Sequence, residues 1–432
     1  MKPIEFAQLK ETLYYEQLDN GLDVYILPKK EINKTFATFT TKYGSIDNEF
    51  VPIAEQEAIR VPDGIAHFLE HKMFEDEHGD VFQDFSKQGA SANAFTSFTR
   101  TAYLFSSTSN VEKNLETLID FVQHPYFTEE SVEKEKGIIE QEITMYDDNP
   151  DWRAYFGVIE NMYENHPVKI DIAGTAASIA KITKDLLYTC YHTFYHPNNM
   201  LLFVVGPVEP EKILEQVKAN QAKKDFAEPE KIQRFYPEEG PGVAKAHHVV
   251  TMPVQTPKLL IGFKDKNPNK QGEELLRYEL SLNILLDLMF GQSSSNYQTL
   301  YEEGLIDDSF SFDYSAENGF GFTIIGGDTK KPIQLAKKLD EQIRQFKQSK
   351  LSEEVVNRAI KKKIGSFLRS LNSPEYIANQ FTRYKFNDMN LFDIVPVLES
   401  LQAKDLEAIL QEHFDFDCFT VSEVKAEGYH EQ

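Results

Sequence analysis

Asp63-Gly-Ile-Ala-His67-Phe-Leu-Glu70-His71 is the stretch on which the reading of this 432-residue chain turns. In a helix of 3.6 residues per turn, histidines four apart lie about 40° from each other, so both imidazoles reach one point. Glu70 follows His67 by three residues and falls on the same side. It is placed to take a proton from a water that a metal between the histidines polarises. The pattern is H-x-x-E-H, the inverse of the helical zinc motif H-E-x-x-H. The competing reading is a surface helix that happens to carry two histidines. Ile65, Phe68, Leu69, Met73 and Phe74 argue against it, because they make the segment apolar on several faces and predict burial. Ionisable groups on a buried helix need partners.

A catalytic zinc takes three protein ligands and leaves a fourth position to water. The segment from Phe127 to Tyr146 offers candidates for the third. Thr128 suits an N-cap, Glu129 and Glu130 suit the positive end of a helix, and Asp147-Asp-Asn-Pro150 stops it. Glu135 and Glu142 are seven apart, about 20° from eclipsed, and share a face, whereas Glu140 points the other way. Glu133-Lys-Glu-Lys136 equally suits an ordinary solvated face. Helix geometry alone leaves the third ligand open.

His67-Phe-Leu-Glu70-His71, followed by Glu135-Lys-Gly-Ile-Ile-Glu-Gln-Glu142-Ile-Thr-Met-Tyr146, resembles the pitrilysin family of zinc metallopeptidases. Insulin-degrading enzyme and the mitochondrial processing peptidase belong to it. The resemblance implies that Glu142 joins His67 and His71 as ligands of one Zn²⁺ per chain, with Glu70 as the catalytic base and Glu135 as a supporting acid. The gap from His71 to Glu142 is a few residues shorter than in familiar members, which the loop from Asp76 to Asp80 absorbs. Gly89-Ala-Ser-Ala-Asn93-Ala-Phe-Thr96-Ser-Phe-Thr-Arg-Thr-Ala-Tyr103 is similar to the family's glycine, Asn-Ala, Thr and Thr-x-Tyr pattern. It implies a substrate-binding edge at Ala92, Asn93, Ala94 and Phe95, where an extended peptide pairs through its main chain. Taken by composition, the same residues read as a plain sheet strand. Tyr195-His-Pro-Asn-Asn-Met200, leading into Leu-Leu-Phe-Val-Val-Gly206, resembles the family's strand entry.

A length of 432 residues predicts two or three domains, and 41% hydrophobic with 12% aromatic residues is ample to fill their cores. A formal charge of −24 disfavours nucleic acid as a partner. Met1 to Gln17 alternates charge and shows no secretory signal, and the longest apolar runs, such as Met200 to Val205, are strand-sized and predict no membrane span. Cys190 and Cys418 lie far apart in apolar contexts, which predicts buried free thiols and a cytoplasmic protein. The other histidines do not suggest a second site. His124 and His196 precede prolines, His78 sits in a loop, and His247-His248 adjoin a strand start.

A charged, Pro/Gly-rich linker at 223–245 divides a metal-binding domain, 1–222, from a second domain, 246–432. The same order of elements recurs on both sides. A buried helix precedes a strand, then an amphipathic helix (Val111 to Gln123; Pro332 to Phe346), then an acidic helix start. Leu280 to Phe290, the counterpart of the metal helix, has no histidine, so only the first half can carry the chemistry. The resemblance implies an α+β fold: two homologous domains, each a mixed, largely antiparallel sheet with helices on one face, enclosing a cleft.

One departure bears on partners. Catalytic members of the resembled family place an arginine and a tyrosine seven apart around a Gly-Leu. Here the aligned segment, Leu300-Tyr301-Glu-Glu-Gly304-Leu305-Ile-Asp307, is one residue short, with Tyr301 and Asp307 in those places; Tyr314 is the nearest substitute. The resemblance therefore implies a heterodimer with a homologous subunit that supplies the pair. A self-sufficient homodimeric peptidase and a non-catalytic structural subunit are the alternatives.

Overall fold

The computed structural model describes residues 1–77, 79–317 and 319–431; His78, expected in a loop, lies outside the described residues. Its strands are β1 (Lys2–Phe6), β2 (Glu11–Gln17), β3 (Asp23–Pro28), β4 (Thr35–Thr41), β5 (Ala90–Thr96), β6 (Thr101–Ser107), β7 (Met200–Gly206), β8 (His247–Thr251), β9 (Lys258–Lys264), β10 (Ser311–Glu317), β11 (Phe320–Asp328) and β12 (Phe419–Lys425), together with two short two-residue ladders. The helices that concern the site and the cores are α1 (Ile65–Met73), α2 (Val111–Val122), α3 (Glu129–Asp147), α4 (Pro150–Met162), α5 (Gly272–Phe290), α6 (Ser295–Glu302), α7 (Pro332–Gln348), α8 (Glu353–Ser370) and α9 (Pro374–Phe386).

The strands form two main sheets, ordered β1-β2-β3-β7-β4-β6-β5 and β8-β12-β9-β11-β10. Each contains a single parallel pairing, β3 with β7 and β8 with β12, and is otherwise antiparallel. Without the β1-β2 hairpin the two orders are the same: first strand, last, second, fourth, third. The duplication read from the sequence is thus a duplication of topology, and the fold is α+β with mixed, largely antiparallel sheets. The central strands explain their own burial. Met200-Leu-Leu-Phe-Val-Val-Gly206 is apolar throughout and buried at all seven positions, as a strand covered on both faces must be.

The cover comes from both halves of the chain. Tyr103, Phe39 and Leu202 are register partners across β6, β4 and β7, and Phe121 of α2 packs on Tyr103 with ring centroids 5.7 Å apart. Tyr25 and Phe203 point to the other face, where Phe381 of α9 lies 4.8 Å from each ring. In the second sheet, α4 lies so close that a Cβ at Gly262 would fall 2.8 Å from a methyl of Val158. The opposite face of that sheet packs on Phe414, 5.1 Å from Phe263. Each half therefore lays its own helices on one face of its sheet and contributes one helix to the opposite face of the other sheet. The compact units follow this exchange: Met1–Ile143, Ile170–Tyr236 and Ser370–Phe386 form one, and Thr144–Lys169, Pro237–Arg369 and Asn387–Gln432 the other.

Cys190 and Cys418 are free and buried. Among the described residues, no helix is long and apolar enough to cross a membrane.

Candidate metal centre

Helix α1 is buried on nearly every side. Ile65, Ala66, Phe68, Leu69 and Met73 enter the core, and His67, Glu70 and Lys72 are buried with them. The helix starts at Gly64, with φ 88° and no side-chain cap. A Cβ there would lie 2.3 Å from the carbonyl oxygen of Ala173, so only glycine allows this approach. The seat is reciprocal, since a Cβ at Gly174 would lie 2.4 Å from the oxygen of Asp63, and the Ser178 hydroxyl donates to that oxygen at 2.8 Å. The fully buried ammonium of Lys72 pairs with Glu75, as a buried charge requires.

Helix α3 begins with a reciprocal cap. The amide of Ser131 donates to Thr128 Oγ1 at 3.1 Å, and the amide of Thr128 donates to Ser131 Oγ at 3.3 Å. Val132, Ile139 and Ile143 bury one stripe. Glu135 and Glu142 lie beside that stripe and face α1, whereas Glu140 is exposed.

The two helices bring together His67, His71 and Glu142, whose ligand atoms all lie within 4.8 Å of one another. Nε2 of His67 is 3.7 Å from Glu142 Oε1, and Nε2 of His71 is 3.5 Å from Glu142 Oε2. Donors at zinc-ligand distances around a tetrahedron sit about 3.4 Å apart, so the spacing suits such an ion. The donor set also calls for one. Nδ1 of His71 stands 3.1 Å from Glu135 Oε1. A carboxylate cannot donate, so the Nδ1 proton is directed at Glu135, and in the neutral ring the lone pair is left on Nε2, toward Glu142. Two imidazoles that ligate in their neutral form and one carboxylate are the donor set of a catalytic zinc site. Nδ1 of His67 is buried with no hydrogen-bond partner among the described residues, so packing orients that ring.

The proton affinities follow from the same geometry. Burial, with the charge of His71 behind it, lowers the pKa of His67 to about 4. Burial opposes a charge on His71 too, but the bond to Glu135 and the nearby charges of Glu70 and Glu142 outweigh it and raise its pKa. Glu70 is buried, which raises its pKa, while a hydrogen bond from Thr96 partly offsets that. Oγ1 of Thr96 lies 2.6 Å from Glu70 Oε2. Thr96 is the threonine of the motif that ends at Tyr103, yet the motif assigns it no bond to Glu70. The bond joins residues 26 positions apart, and no local spacing announces it.

Ala92, Asn93, Ala94 and Phe95 lie in β5, which is a free edge of its sheet. The amide of Ala94 is directed outward and accepted by its neighbour's side chain, Asn93 Oδ1, at 2.9 Å. Tyr301 is exposed on α6. Asp307 turns its carboxylate back onto the amide and hydroxyl of Ser309, at 2.9 and 2.5 Å. Tyr314 is buried and donates to Asp265 at 2.9 Å, so its hydroxyl is committed inside the core. Among the described residues, no second His/Cys/Asp/Glu group is arranged to hold a metal.

Comparison with known proteins gives a consistent picture. The family model described as insulinase, peptidase family M16, matches residues 56–176. The model described as peptidase M16 inactive domain matches residues 181–363, a stretch that contains none of His67, Glu70, His71, Glu135 and Glu142. The uncharacterized zinc protease YmfH of Bacillus subtilis is 64% identical over 424 residues, covering 98% of this chain and 99% of that protein. An uncharacterized zinc protease of Rickettsia felis is 28% identical over 357 residues, 81% of each chain. The crystal structure of an M16-like peptidase from Alicyclobacillus acidocaldarius superposes with a TM-score of 0.93 at 42% identity, over 96% of this chain and 99% of that one. Pitrilysin shares the fold, with a TM-score of 0.75 at 16% identity, over 99% of this chain and 46% of its own.

Proposed function

The chain belongs to the insulinase family of peptidases, M16, and from that premise we propose that it is a zinc-dependent endopeptidase hydrolysing small or extended peptides. The observation that carries the reading is the convergence of His67, His71 and Glu142 within 4.8 Å, beside the buried carboxylate of Glu70. These three side chains would hold one zinc ion. When bound, the ion supplies Lewis acidity, which polarises a scissile carbonyl and brings the acidity of water into the neutral range.

The chain's own groups do the rest. Glu70 takes the proton of the attacking water on its carboxylate and passes it to the leaving amine. Glu135 accepts from Nδ1 of His71, which keeps the Nε2 lone pair aimed at the metal position. The free edge of β5, at Ala92 to Phe95, pairs with the extended backbone of the peptide, which grips chain while reading little sequence.

We further propose that the chain works in the cytoplasm as one subunit of a heterodimer with a homologous partner. Tyr301 and Asp307 lack the paired donors that the family resemblance implies. An acidic side chain cannot stabilise a carbonyl gaining negative charge. A non-catalytic subunit is the second reading, favoured by the inactive-domain match, but that match falls outside the metal centre.

Glu70→Gln keeps size and shape and removes the base. The variant should retain zinc and lose hydrolysis of unstructured peptides by about a hundredfold or more, assayed with the partner present. Undiminished cleavage by Glu70→Gln would remove Glu70 from the chemistry.

A further inference from the structure

We propose that Thr96 is the positioning residue of Glu70: its hydroxyl holds the carboxylate in place and ties it to the strand that receives the substrate. The inference rests on the reading of Glu70 as the base. Thr96 is the last residue of β5, next to Phe95. Its Oγ1 lies 2.6 Å from Glu70 Oε2, within the range of a charge-assisted O–H···O⁻ bond. An ionised carboxylate can only accept, so Thr96 is the donor.

The proton of Thr96 is free for that task. Thr101, its register partner in β6, directs its own hydroxyl to the carbonyl oxygen of Tyr43 at 2.9 Å. In its longer contact with Thr96 Oγ1, at 3.4 Å, Thr101 is again the donor, so it does not draw on that residue's single proton. Thr101 is fully buried, so the hydroxyl pair is anchored in the interior of the sheet. A β-branched side chain is stiff at χ1, so the backbone of β5 sets where the Thr96 hydroxyl points. Glu70 extends from α1 on a longer, more flexible stem, and this bond aims its carboxylate. The base and the substrate-pairing edge are thereby held as one piece, and a peptide pairing with β5 meets a base whose place is set by that same strand.

The test uses Thr96→Val, which keeps shape and loses the hydroxyl, and Thr96→Ser, which keeps the hydroxyl. Both should carry zinc as the unaltered protein does. In Thr96→Val, kcat should fall about tenfold to a hundredfold, the scale expected for a misplaced catalytic group. KM should stay within about twofold, because an interaction of the reacting state is lost and binding is not. Thr96→Ser should recover most of kcat. A crystal structure of Thr96→Val should find the Glu70 carboxylate displaced from its position, a readout independent of activity. An unmoved Glu70, an unchanged kcat in Thr96→Val, or a Thr96→Ser protein as impaired as Thr96→Val would overturn the proposal. An active Glu70→Gln protein would instead overturn the reading of the base and leave the crystallographic result to decide the anchoring.

Discussion

Nδ1 of His71 stands 3.1 Å from Oε1 of Glu135, a contact between two helices that fixes which ring nitrogen of His71 is left for a metal. Removing such an outer partner typically lowers metal affinity about 10- to 100-fold. Glu135→Ala should therefore bind zinc more weakly by that factor, measured by competition with a chelator, while the helical content stays as before. Equal affinity in the two proteins would mean that Glu135 does not orient His71.

The outward amide of Ala94 gives the substrate edge its own test. Its acceptor, Asn93 Oδ1, belongs to a neighbouring side chain that can swing aside. Proline is tolerated on edge strands where the N–H faces out. Ala94→Pro should raise KM for peptides about five- to tenfold, the worth of one net hydrogen bond, and leave kcat and zinc content close to their original values. An unchanged KM would show that peptides bind elsewhere.

Tyr301 and Asp307 bear on partnership. The Asp307 carboxylate accepts from the hydroxyl and then the amide of Ser309, which lowers its pKa and keeps it ionised at neutral pH. Losing one oxyanion donor costs about a hundredfold or more in rate. The isolated chain should therefore cleave short unstructured peptides slowly, and a homologous subunit carrying the arginine and tyrosine should raise the rate by about that factor. Fast hydrolysis by the isolated chain, insensitive to any partner, would favour the homodimer.

Much of this was legible in the sequence because it is local. His67, Glu70 and His71 sit within one helical turn and a half, and the apolar run around them predicts the burial of α1 that is observed. Glu142 was not settled by helix spacing, since Glu135 and Glu142 share a face with either a solvated or an inward role. A resemblance singled it out, and its approach to Nε2 of both histidines is a tertiary fact. Helix α5 starts at Gly272, well ahead of the apolar run from Leu280. Its first turn carries Glu273 and Glu274, charged residues that favour a helix N-terminus without advertising a core. The exchange of α4 and α9 between sheets left no trace either. An amphipathic helix such as Pro150–Met162 shows an apolar stripe whichever sheet receives it. Thr96 was matched to a motif, but its bond to Glu70 was out of reach for the same reason, because a single hydroxyl bonding across 26 residues has no periodicity.

His413 provides a prediction about stability. It is buried between Thr323 Oγ1, at 2.7 Å, and the Tyr278 hydroxyl, at 3.1 Å. Burial, with the charge of Lys270 second, lowers its pKa from 6.5 to about 3. Between those values the unfolded chain binds a proton that the folded chain refuses, so this contribution is present above pH 6.5 and is lost as pH falls toward 3. His413→Gln should flatten the fall of unfolding free energy across that window by about 1.4 kcal/mol per pH unit, followed by denaturant titration. An unaltered slope would mean that His413 is already protonated in the folded protein.

Zinc stoichiometry is the most direct test of the centre itself. Elemental analysis of the purified protein should find about one zinc per chain, with strong loss in His71→Ala and in Glu142→Ala, because each removes one of three donors. Full zinc occupancy in both variants would contradict the assignment of His67, His71 and Glu142 as the metal site.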